Sequence, residues 1–210
     1  MAYQPLKLDQ QTPSNVKALI KSIEDHYFRD VHTMLRLPLP TDDLVAGCNF
    51  AITQVLTSVV SGASTTLYQQ RGRKGRLFKE VLRNVYPWSL EIANGIKAGY
   101  CAEVVYTLFR NPLTHELGLD PKNKPKGQKI IVKRLATGNN GLPENKIEQL
   151  ETDIGAVTPS ATITIEPDRI VLLVERFYWG VRTMIEKLSN DHVRMASAEA
   201  FLKERRGGTT

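Results

Sequence analysis

Arg110, Asn111 and His115 fall within the stretch Phe109-Arg110-Asn111-Pro112-Leu113-Thr114-His115, and their side chains together suit a phosphodiester. A guanidinium is a permanent, planar cation that matches phosphate oxygens, and an imidazole can take or give a proton near neutral pH. RNA carries its own nucleophile in the 2′-hydroxyl, so this pair needs no metal to act on it. His115 would serve as general base or general acid, a role worth on the order of a hundredfold to ten-thousandfold in rate. Arg110 would hold the phosphate and stabilise transition-state charge, and Asn111 would orient the phosphate or the histidine.

The elements around the stretch must bring those groups together. Cys101, Val104, Val105 and Leu108 form an apolar stripe, which predicts a helix from about Ala98 to Arg110. On one unbroken helix, residues five apart lie about 140° from each other around the axis. Pro112 is expected to end or kink that helix, with Asn111 capping a short new one that stops near Gly118. His115 would then sit in the first turn of the new helix, where unpaired N–H groups attract anions. The same residues also fit a purely structural arrangement, with Arg110 on helix carbonyls, Asn111 as a cap and His115 on a backbone carbonyl.

Arg110-Asn111-Pro112-Leu113-Thr114-His115, preceded by an apolar helix and flanked by long helices, resembles the R-x(4 to 6)-H motif of the HEPN superfamily (higher eukaryotes and prokaryotes nucleotide-binding). The resemblance implies a helical bundle and, for Arg110, Asn111 and His115, a catalytic role in a metal-independent endoribonuclease without a cofactor. It also implies a homodimer that joins two copies of the motif. The setting it suggests is the toxin or effector of a defence or toxin–antitoxin system, held by a neutralising antitoxin or a regulatory partner. Some members of the superfamily are non-catalytic, so a protein–protein or RNA-binding module is the alternative. The resemblance covers Ala98 to Gly118 by motif and the rest only by architecture.

The 210 residues carry a formal net charge of +6 and a pI near 9.3, a balance that suits an RNA substrate. Arg71-Gly72-Arg73-Lys74-Gly75-Arg76 places four cations in six residues, and Arg71, Arg73, Lys74 and Arg76 are the candidate RNA contacts. An ordinary solvated loop has the same composition. A second basic stretch runs from Pro121 to Lys133. Cys48 and Cys101 lie in apolar stripes and read as buried thiols, and His26, His32 and His192 as capping or solvated side chains. No metal-binding, nucleotide-triphosphate or serine-hydrolase pattern occurs. No run of about 18 apolar residues or signal-peptide pattern is evident, so the expectation is a cytoplasmic protein without a membrane partner.

The fold class expected is mainly α: a HEPN-like bundle forming one domain over residues 1–210, with a small two-stranded β insertion at about 119–166. Ser14 is predicted to cap a helix to Arg36, and Thr41 to open a second that ends at Ser61-Gly62-Ala63-Ser64. A third should run from Arg76 to Tyr86. Strands at Ile130–Leu135 and Ala161–Glu166 are expected to pair as an antiparallel ribbon, with a short helix from Pro143 to Ile154 between them. Asp168 would cap the broadest apolar helix, through Leu188. Its extra residues Val171, Leu172, Tyr178 and Trp179 fit either a helix buried on several sides or a dimer face. A last helix is expected from Asn190 to Arg205.

Overall fold

The computed structural model describes residues 3–36, 48–115, 124–133 and 161–207. The architecture is a bundle of α-helices with one small sheet at its side, as the apolar periodicity predicts. Helix α1 (Ser14–Ile23) passes through a π turn (Glu24–Phe28) into α2 (Arg29–Arg36) without a break. Helix α3 (Asn49–Ala63) likewise continues into a π turn (Ser64–Tyr68), so Ser61-Gly62-Ala63-Ser64 does not end it. The glycine there is flanked by buried Val60 and Ala63, whose packing outweighs its weak helix preference. The predicted start of this helix, at Thr41, lies outside the described residues.

Ser14 does not cap α1; the N-cap position is Pro13 and makes no side-chain bond. The cap comes from the other end of the chain. Glu199, on α9 (His192–Gly207), accepts the backbone N–H of Asn15 at 3.0 Å and of Val16 at 3.3 Å, and the Asn15 side chain at 2.7 Å. A carboxylate at the positive end of a helix offsets both unpaired donors and the macrodipole. That tertiary contact was invisible in the local sequence.

Helix α4 (Lys74–Val85) buries Leu77, Phe78, Val81 and Leu82, and Trp88 closes the following turn with a 2.7 Å bond from its indole N–H to the Leu82 carbonyl. A short helix α5 (Ser89–Ala93) follows, then α6 (Ala98–Val104) packed against α4. Buried Glu91 of α5 accepts the backbone N–H of Thr162 at 2.6 Å and of Ile163 at 3.1 Å, which anchors the sheet to the bundle.

The sheet has three strands, not two. Strands β1 (Lys129–Lys133) and β2 (Ile163–Ile165) flank β3 (Arg169–Leu173), which is parallel to β1 and antiparallel to β2. The predicted ribbon partners therefore never pair with each other. The expectation of a helix from Asp168 fails over 169–173, because a short apolar run reads equally well in either period. The β-branched Ile170 and Val171, and the alternation of buried Ile170 and Leu172 with half-buried Val171, settle it as strand. Asp168 thus lies in the β2–β3 turn, and helix α8 (Val174–Ser189), with Leu173 at its N-cap, starts five residues later than expected. The expected helix at Pro143–Ile154 falls outside the described residues.

Helix α8 is the centre of the molecule. Val174, Phe177, Tyr178, Trp179, Val181, Met184, Ile185 and Leu188 are all buried within the chain, so the wide apolar surface is core and not a dimer face. Even Arg182 is only 3% exposed. It donates at 2.6 Å to the Tyr3 hydroxyl and at 2.6 Å to the Gln4 carbonyl, and lies over the rings of Tyr3 and Trp179. Glu24 holds the same N-terminal segment through the Leu6 N–H. The 20-residue helical stretch Asn49–Tyr68 is long and apolar enough to span a bilayer, but its buried residues Ile52, Leu56, Val60 and Ala63 serve the bundle core.

Candidate functional site

Pro112 does not break its helix. Helix α6 runs through a π turn (Val105–Arg110) directly into α7 (Asn111–His115). The wider i→i−5 spacing, with the Asn111 N–H on the Tyr106 carbonyl, gives the proline ring the space that an α turn denies it against the carbonyl four residues back. Two expectations fall with the break. Asn111 has helical dihedrals, φ −65° and ψ −50°, so it is not a cap. No new helix N-terminus forms at Pro112, and His115 is not in a first turn. With the backbone helical throughout, positions 110 and 115 stay about 140° apart around the axis. The side chain of His115 lies outside the described residues.

Asn111 has a different role. Its Oδ1 accepts a 2.9 Å hydrogen bond from Nη1 of Arg110, which fixes one edge of the guanidinium. The Arg110 guanidinium also lies 5.7 Å from the centroid of the Tyr106 ring, one turn earlier. Arg110 and Tyr106 then form one wall of a cavity of about 280 Å³. The opposite walls are Ser61 and Gly62 at the end of α3 with Thr65 in the π turn that continues it, and Lys74, Gly75 and Phe78 in the first turns of α4.

The structure thus brings Lys74 to Arg110, although 36 positions separate them in the chain. Arg71 and Arg73 are exposed in the loop just before α4, and Arg76 is exposed on it, paired with Glu80 at 3.7 Å. Only Lys74 of that cluster lines the cavity. Lys74, Gly75 and Arg76 belong to the helix and not to the loop. The first turn of α4 has no acidic residue, and Arg73 at its N-cap position makes no side-chain capping bond. Cations at the positive end of a helix oppose the macrodipole, a local cost to folding that an anion at this place would relieve.

Tyr106, Lys79, Ser61 and Thr65 were not singled out from the sequence. Lys79 pairs with Glu103 at 2.9 Å and approaches the Tyr106 ring at 5.4 Å. The signal for Tyr106 was its spacing, four residues before Arg110, which puts both on one helix face. The α3 hydroxyls gave no local sign, because their approach depends on tertiary packing. Gly75 carries the close fit: a Cβ there would lie 2.8 Å from Cζ of Tyr106 and nearer still to its hydroxyl.

The histidines and cysteines lie elsewhere. His26 is exposed, His32 stacks edge-on against Tyr3 at 5.7 Å, and His192 is 3.8 Å from Asp9. Burial, with the nearby Glu91 charge, pushes the Cys101 thiol up to about 12. Cys48 is half-buried at the start of α3. Among the described residues no three His, Cys, Asp or Glu side chains are placed to hold one metal ion.

Comparison with known proteins gives no match to a family model, a curated protein or a solved structure.

Proposed function

We propose that the protein is a metal-independent endoribonuclease that cleaves RNA through the substrate's own 2′-hydroxyl, with Arg110, Asn111 and His115 as its catalytic residues. The observation that carries this reading is the shared cavity of Arg110 and Lys74, two cations that the fold gathers from distant parts of the chain. Arg110, steered by Asn111, binds the scissile phosphate and the charge that grows on it. His115 moves the proton. Arg71, Arg73, Lys74 and Arg76 track the flanking backbone, with affinity gained by releasing counterions.

One histidine does not readily serve both the attacking hydroxyl and the leaving 5′-oxygen. A homodimer would supply the second, and the separation of positions 110 and 115 around one helix favours a site completed by a partner copy. In this reading the protein acts in the cytoplasm as the toxic or effector component of a defence or toxin–antitoxin pair.

A second reading, RNA binding without cleavage, draws on the exposed Arg71, Arg73 and Arg76 beside the cavity, which need no proton-transfer group to hold RNA. End-group analysis separates the two. RNA incubated with the protein in EDTA should yield 2′,3′-cyclic phosphate ends and 5′-hydroxyl ends. RNA recovered intact after salt-sensitive binding would favour the binding module.

A further inference from the structure

Tyr106 holds a place in the cavity that the RNA-cleavage reading does not use. It is half-buried, its ring tilts against Phe78 with centroids 5.5 Å apart, and Arg110 and Lys79 stand 5.7 Å and 5.4 Å from its centroid. The ring is thus held by packing on one helix and by cations on two. Gly75 lets the hydroxyl approach the first turn of α4, beside Lys74, because any larger residue would occupy its place. Among the described residues the hydroxyl has no hydrogen-bond partner in the protein. A tyrosine hydroxyl held by packing usually finds a partner once it is buried, as it would be under a bound ligand. A phenol, a lysine and an arginine on one cavity of about 280 Å³ form a compact set of donors, with no acidic side chain among the described residues that line it.

We infer that this cavity is the seat of one RNA phosphate, and that Tyr106 is a binding residue whose hydroxyl donates to that phosphate between Lys74 and Arg110. The inference rests on the RNA reading of the site and adds to it a neutral donor. The chemistry favours a phosphodiester over a carboxylate, because three donors on two facing walls, Tyr106 and Arg110 on one and Lys74 on the other, suit an anion with several oxygens. The phenol is also a rigid donor with little side-chain entropy to lose, so its geometry is set before RNA arrives.

The test uses the full-length protein and a fluorescein-labelled 12-nucleotide RNA carrying 2′-O-methyl groups throughout, which lacks the nucleophile and stays intact. Affinity is measured in EDTA across a salt series for wild type, Tyr106→Phe, Lys74→Met and Tyr100→Phe. Tyr106→Phe keeps the ring and should bind about tenfold more weakly, as expected for losing a hydrogen bond to a charged group. Its salt slope should be unchanged, since no charge is removed. Lys74→Met should also weaken binding and lower the slope by about 0.7. Tyr100→Phe, on the exposed part of α6, should match wild type. If Tyr106→Phe binds as wild type does while Lys74→Met is weakened, the inference is overturned and the RNA reading stands. If wild type itself fails to bind, both are overturned. A salt slope changed in Tyr106→Phe would also overturn it, because the variant would then have disturbed the neighbouring cations.

Discussion

Arg182 and Arg110 are the same residue in opposite settings. Arg182 sits at the centre of α8, 3% exposed, with Tyr3 and Gln4 as hydrogen-bond partners and aromatic rings around it. Arg110 stands half-buried at a cavity, steered by its neighbour Asn111 and facing Lys74 across the opening. The first holds the N-terminal segment to the core, and the second shares a cavity wall with Tyr106 opposite Lys74. In the proposed reading, an anion between Lys74 and Arg110 accounts for this arrangement. The two settings, one packed in aromatic rings and one at a cavity, could not be told apart from residue type or spacing.

Two glycines repeat the contrast. Gly180 of α8 lies under Tyr86, a buried phenol held at 3.0 Å from Thr162 Oγ1 and 3.2 Å from the Arg176 carbonyl. Gly75 lies under Tyr106, which is half-buried at the cavity. Both tyrosines would be displaced by a methyl group. Only one of them has room to move.

The largest effect should come from exchanging the arginines. Arg182→Ala removes two short charged hydrogen bonds and should cost about 3 kcal/mol in urea unfolding, against less than about 1 kcal/mol for Arg110→Ala. Equal losses would erase the distinction between the two sites. Next, Gly180→Ala should destabilise by about 2 kcal/mol through overpacking against Tyr86. Gly75→Ala should cost less than half of that while weakening RNA binding, and thermal melts beside a binding titration would read both effects.

A smaller effect concerns the cap of α1. Burial works against the ionised Glu199 carboxyl, but hydrogen bonds from the Asn15 side chain and the Val16 and Asn15 N–H groups, with the Lys203 charge, together hold it below the usual carboxylate range. A depressed folded value means stability that is present above the unfolded value of about 4.3 and lost as pH falls through the folded one. Glu199→Gln should therefore cost about 1 kcal/mol at pH 7 and flatten the acid limb of the stability curve. The smallest effect is on thiol reactivity. At pH 8, Ellman's reagent should label Cys48 in the native protein and reach Cys101 only on unfolding, because the raised Cys101 thiol carries almost no thiolate there.

Apolar periodicity made the helices legible, down to the wide stripe of α8, because a core face imposes its period on a long segment. The strand at 169–173 was not legible, because four apolar residues in a row, Ile170 to Leu173, are too few to separate the two periods. Three π turns went unforeseen, at Glu24–Phe28, Ser64–Tyr68 and Val105–Arg110, since no single residue type encodes them. Of these, the third decides the site: Pro112 bends the hydrogen-bond register and leaves the chain helical. Arg110 and Lys74 were each visible as candidates in the sequence. Their meeting, and the part of Tyr106 between them, came from the packing of α4 on α6, which no local pattern carries.

The most direct measurement is cleavage of labelled RNA, with single-stranded DNA of the same sequence as control, by wild type and Arg110→Ala in EDTA, after matching circular dichroism spectra. Wild type should cut RNA and leave DNA intact, and Arg110→Ala should cut at least a hundredfold more slowly. Equal cleavage by both proteins, or cleavage of the DNA, would contradict the proposed function.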